Sequence, residues 1–99
     1  MKVVYSKNSN ELFISEAGAS LGREISGDSK WPRDMPEDDL RLDATLIEVI
    51  ERLGVHASAL CSLLQIRDIP EGCLWRIDDN ELGGELVMTV KDYDWKVAT

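Results

Sequence analysis

The segment from Asp43 to Gly54 constrains the fold more than any other part of the chain. Leu46, Val49, Ile50 and Leu53 fall at i, i+3, i+4 and i+7, so a helix gathers all four on one stripe and leaves Glu48, Glu51 and Arg52 outside it. Asp43 is placed to accept a hydrogen bond from an orphan backbone N–H of the first turn, and Gly54 supplies a left-handed stop. Val55, just past the stop, is expected to pack back on Ile50. A helix with a single apolar stripe is stable only when a sheet or another helix covers it, and the rest of the chain has to supply that cover.

Several segments are suited to the task. Val3, Val4 and Tyr5 read as a short strand ended by the polar run Ser6 to Asn10, and Leu12-Phe13-Ile14 resumes the apolar character as a hairpin or strand-to-helix turn. Ser15 followed by Glu16 predicts a second helix running to Gly27 with Ala17, Leu21 and Ile25 as its apolar stripe. Gly18 and Gly22 weaken that helix by about 1 kcal/mol each relative to Ala and are expected to allow close packing on a strand. After a small-residue connection from His56 to Leu60, Leu63 to Ile69 reads as a strand stopped by Pro70-Glu71-Gly72, although helix from Leu60 through Leu64 is a second option.

Leu74 to Asp78 alternates with Trp75 and Ile77 on one face, and Glu85 to Val90 alternates with Leu86, Met88 and Val90 on one face, which predicts a hairpin closed by residues 79–84. The tail, with Tyr93, Trp95 and Val97 at period two, either extends that strand or frays. No internal repeat is present. The expected architecture is α+β: a small antiparallel or mixed sheet packed on two helices, in one domain spanning residues 1–99.

Composition narrows the function. The 99 residues carry 19 Asp and Glu against 11 Lys and Arg, a formal charge of −8. Leu, Ile, Val and Phe make up 27 of the 99, above the roughly one-fifth level below which charged chains stay disordered. A chain this short buries only about two-thirds of the surface its unfolded form exposes, so a deep enzymatic cleft is hard to build. No apolar run is long enough to cross a bilayer, and Met1 to Tyr5 meets polar residues too soon for a signal peptide, so the cytoplasm is the expected compartment. No run of Lys and Arg exceeds a single residue, which opposes direct binding to nucleic acid or anionic lipid.

The candidate chemistry is thin. His56 is the single histidine, and its spacing of five from Cys61 would put the two on different sides of a helix. Cys61 and Cys73 lack CxxC spacing and read as reduced, partly buried small hydrophobes instead of a disulfide. Two cysteines and one histidine fall short of a four-ligand zinc site. The adjacent acids Asp38-Asp39 and Asp78-Asp79 have neither the burial nor the repulsion needed to drive their pKa values apart. Asp78-x-Asn80-x-x-Gly83 imitates the start of a calcium loop, but Thr89 stands where the bidentate Glu belongs. Neither GxxxxGK[ST] nor GxGxxG occurs. No catalytic residue, cofactor or metal is expected.

Residues 28–43 contain two prolines and no sustained periodicity, which predicts an extended loop longer than most connections and hence a contact surface. Trp31, Arg33, Met35, Glu37, Asp38 and Asp39 are its candidate binding residues. Trp31 has two readings, an interface anchor or a lid folded back on the core.

One resemblance covers most of the chain. Arg41-Leu-Asp43, the helix Leu46 to Gly54, the strand Ile66-Arg-Asp-Ile69-Pro70-Glu71 and Trp75-Arg-Ile77-Asp78-Asp79 resemble a family of small, acidic, uncharacterised bacteriophage and prophage proteins. Its pattern runs R-x-D-P, L-x-x-V-V-E-x-L-G, I-V-E-I-P-D/E and W/Y-x-I-D/E-D/E-Y-D-G. Lys2-Val3-Val4 and Leu12 to Ala17 are similar to its first strand and first helix. Ala44 stands where the family has Pro, and Asn80 to Gly84 replaces its Tyr-Asp-Gly turn. The resemblance implies phage or prophage origin and an α+β fold, and brings no catalytic residues.

The expected function is therefore non-enzymatic: an accessory protein that binds a host or phage protein, with a homodimer left open. One alternative is a small-ligand binder or small enzyme with a site between the first helix and the sheet. Another is a nucleic-acid mimic that inhibits a host DNA-binding protein.

Overall fold

The computed structural model describes residues 1–9, 11–59, 62–81 and 83–89. In chain order they form strand β1 (Lys2–Ser6), helix α1 (Glu16–Ser26), a short helix α2 (Glu37–Arg41), helix α3 (Ala44–Leu53), a 3-10 turn (Gly54–Ala57), and strands β2 (Leu64–Asp68), β3 (Trp75–Asp79) and β4 (Glu85–Thr89). The fold is α+β, and all strand pairing is antiparallel. In place of one sheet there are two ribbons, β1 with β2 and β3 with β4.

Strand β1 lies at the centre. Val3 and Val4 are both fully buried, and since neighbouring side chains on a strand point to opposite faces, β1 is covered on both sides. On one face Val4 packs with Leu46, Val49, Ile50, Trp31, Ala57 and Leu64. On the other, Val3 packs with Ile69 and Val87, edged by Tyr5, Cys73, Trp75 and Ile77. The result is three layers: helices α1 and α3, the β1–β2 ribbon, and the β3–β4 hairpin.

Helix α3 forms as its sequence dictates. The Asp43 carboxylate accepts the Leu46 N–H at 3.0 Å, and Leu46, Val49 and Ile50 are buried with Leu53 half-buried. The stripe is covered by the β1–β2 ribbon, and the carboxyl-terminal hairpin packs on the other side of β1. Val55 does not fold back on Ile50. Gly54 adopts φ 57, ψ −128, which turns the chain into the 3-10 segment and leaves Val55 66% exposed.

Helix α1 starts and stops where expected. Ser15 Oγ accepts the Gly18 N–H at 3.0 Å and donates to the His56 carbonyl at 2.6 Å, and Gly27 closes the helix in the left-handed region at φ 71. Of its expected stripe, Leu21 and Ile25 pack on the core and Ala17 is exposed, while Gly18 and Gly22 are buried beside them. Ahead of α1, Ile14 bridges Ser58 and the Phe13 carbonyl accepts the Ala59 N–H, so Leu12 to Ile14 is an extended lead-in aligned with the segment before β2.

Two further expectations change. Residues 28–43 are not one extended loop, because turns occupy 29–34 and α2 follows. On β4 the buried face carries Glu85, Val87 and Thr89, while Leu86 is exposed and Met88 half-buried, so Leu86 and Met88 do share a face but not the core face. Val90, the tail residues Tyr93, Trp95 and Val97, and Cys61 lie outside the described residues. Cys73 is a free, half-buried thiol.

Candidate protein-binding face

The six candidate residues separate into two groups. Trp31 is 4% exposed and has turned inward, so it leaves the contact surface. Its indole Nε1 donates to Asp43 Oδ2 at 3.0 Å, the same oxygen that caps α3, and Arg23 Nε donates to the Trp31 carbonyl at 3.2 Å. The ring lies over Gly22 so closely that a Cβ there would stand 1.9 Å from it. Gly22 thus makes room for an aromatic lid, where the sequence predicted room for a strand. Gly18 faces the Ile14 side chain and the Ala57 carbonyl. Both glycines of α1 are thus in close contact with neighbouring groups.

Met35 is half-buried against the helical core, whereas Arg33, Glu37, Asp38 and Asp39 are exposed. Helix α2 follows Pro36, whose fixed φ of −59 precedes the first turn, and its three acids sit at the end of the helix that favours negative charge. Five residues cannot sustain a helix alone. What fixes α2 is Arg41, at its last position.

The Arg41 side chain is 6% exposed and that of Glu85 only 3%. Arg41 Nη1 donates to Glu85 Oε1 at 2.9 Å and to the Val4 carbonyl at 3.1 Å, while Nη2 donates to Glu85 Oε2 at 2.5 Å and to Glu37 Oε1 at 2.7 Å. Glu85 Oε1 also accepts the Ser6 N–H at 3.0 Å. Burial alone would lower the Arg41 pKa, yet hydrogen bonding to Glu85 and the charges of Glu85, Glu37 and Asp38 hold it above its ordinary value. The guanidinium stays charged, and every buried side-chain nitrogen and oxygen among the described residues has a partner.

The position of this pair follows from the register of β1. The Ile69 N–H bonds the Met1 carbonyl and the Lys7 N–H bonds the Leu63 carbonyl, so odd-numbered residues turn their backbone groups toward β2 and even-numbered ones turn them away. The Val4 carbonyl and the Ser6 N–H therefore sit side by side on the open edge of β1. One is met by Arg41 and the other by Glu85, in the places a third strand would fill. A single ion pair thus joins α2 and the hairpin to β1 and closes that edge.

In the sequence Arg41 enters only as the first residue of the Arg41-Leu-Asp43 motif, and nothing marks it or Glu85 as a buried pair. The i, i+4 spacing of Glu37 and Arg41 was visible, but it ordinarily marks a solvated pair, and Glu85 opens a strand with apolar residues on both parities.

The remaining candidates are dispersed. His56 is exposed after α3. Asp78 and Asp79 lie within β3 on opposite faces, and Asp78 pairs with Arg76 at 3.0 Å. Among the described residues no group of three or more His, Cys, Asp or Glu is arranged to hold a metal ion, and no helix is long and apolar enough to cross a membrane. The chain matches no family model, no curated protein and no solved structure.

Proposed function

We propose that the chain is a non-enzymatic accessory protein of phage or prophage origin, acting in the host cytoplasm by docking on another protein through the face built by α2. The observation that carries this reading is that Glu37, Asp38 and Asp39 are displayed on a helix anchored by a buried arginine that donates four hydrogen bonds. Anchoring matters because a preorganised surface loses less conformational freedom on binding. The formal charge of −8 favours basic partners and speeds encounter with them. The phage origin rests on the sequence motifs alone.

The test is affinity capture from a bacterial lysate with the wild-type chain and with a D38K/D39K variant as parallel baits. The reading expects one basic host or phage protein held by the wild type and lost by the variant. Equal capture by both baits, or none by either, contradicts it. If the captured protein is released by duplex DNA, the acidic face is acting as a nucleic-acid mimic.

A further inference from the structure

The hairpin treats its two edges differently. The Asn80 N–H donates to the Gly84 carbonyl at 2.9 Å, so by alternation Asp78 with Leu86 and Arg76 with Met88 exchange the ladder bonds. Backbone groups of Trp75 and Ile77 on β3, and of Glu85 and Val87 on β4, therefore point away from the hairpin. On β4 the outward Val87 carbonyl accepts from Arg67 Nη1. On β3 the outward N–H and C=O of Trp75 and Ile77 have no partner among the described residues.

A groove of about 510 Å³ fronts these groups, with Trp75, Arg76 and Ile77 on one wall and Glu37, Asp38 and Leu42 on the other. Three consecutive residues of a strand cannot line a groove with side chains of one face, because neighbours point to opposite faces. They line it with the strand's edge.

We propose that this groove takes an extended segment of the partner protein, added to β3 as a third strand, with Lys or Arg side chains set against Glu37 and Asp38. The inference rests on the docking reading above and gives it a binding mode. Main-chain bonds to Trp75 and Ile77 supply affinity, and every second side chain of the segment faces α2 and supplies selectivity. The charge of the wall favours a basic segment. Arg41 is neutralised by Glu85 and Arg76 by Asp78, which leaves Asp38 and the second oxygen of Glu37 to set the sign. Leu42, exposed at the end of α2, offers apolar contact. Strand addition at β1 nearby is blocked, since Arg41 and Glu85 already occupy its outward groups.

The test presents the full chain to a display library of random peptides of about nine residues. Enriched peptides should carry Lys or Arg at alternate positions. In a synthetic copy, N-methylation at every second amide should weaken binding about tenfold while the intervening positions change little. Amide exchange at Ile77 should slow on binding, and D38N should weaken binding with little change in the melting temperature. Binding with unchanged Ile77 exchange and no two-residue alternation overturns strand addition but leaves docking on the acidic face intact. Failure of any peptide to enrich also overturns it, and the lysate capture judges the docking reading separately.

Discussion

The two sides of β1 are held by different physics. Toward the helices, Val4 meets Leu46, Val49, Ile50, Trp31, Ala57 and Leu64, a continuous apolar cluster whose Trp31 is bonded at the rim to Asp43 and Arg23. Toward the hairpin, the buried apolar group is Val3, Ile69 and Val87, and the ribbon and hairpin are joined by side chains that bond backbone: Glu85 to Ser6 and Arg67 to Val87. Apolar packing is non-directional and tolerates small adjustments, whereas a buried ion pair fixes orientation and leaves a costly orphan when one partner is removed. The helical side should therefore fail gradually under mutation and the hairpin side abruptly.

The largest expected effect tests that contrast. Glu85→Ala removes the buried carboxylate that pairs with the Arg41 guanidinium and accepts the Ser6 N–H, and should cost about 3–5 kcal/mol in urea unfolding. On the helical side, Leu46→Ala should cost about 2–5 kcal/mol, and Leu46→Met, which keeps the volume, under about 1.5 kcal/mol. A tolerant response at Glu85 together with an intolerant one at Leu46→Met would break the comparison.

Gly22→Ala is next. The added methyl overlaps the Trp31 ring, so the lid has to move, at a cost of about 1–3 kcal/mol and with a changed Trp fluorescence spectrum. Unchanged stability would mean that the lid is not seated on α1. The smallest effect belongs to the proposed binding wall: Asp38→Asn should stay within about 0.5 kcal/mol of wild-type stability, so any loss of partner binding by that variant reports on the surface itself.

The same contrast governs what was legible in the sequence. Helix α3 could be read because cap, stripe and stop all agree locally, and α1 because Ser15 and Gly27 bracket it. The hairpin could be located from its alternation but not oriented. Leu86 and Met88 are as apolar as Val87, and the choice of face is made by the bond between Glu85 and Arg41, 44 residues apart in sequence. The inward turn of Trp31 depends on Gly22 and Asp43 together. Within its own stretch of chain, Gly22 signals only a weakened helix and Asp43 only an N-cap. Helix α2 was hidden because its stability comes from one arginine reaching into another layer. Of the candidate face, the acids could be read from sequence; the strand edge across the groove from them could not, since only the register shows which backbone groups of β3 turn outward.

The claim on which the rest depends is that Arg41 and Glu85 act as one unit holding α2 and the hairpin to β1. A double-mutant cycle of Arg41→Met, Glu85→Leu and the pair, read by urea unfolding, tests it most directly. The structure predicts that the double variant loses about as much stability as either single one, with a coupling of about 2 kcal/mol or more. Losses that add to within about 0.5 kcal/mol would show two independent side chains and contradict it.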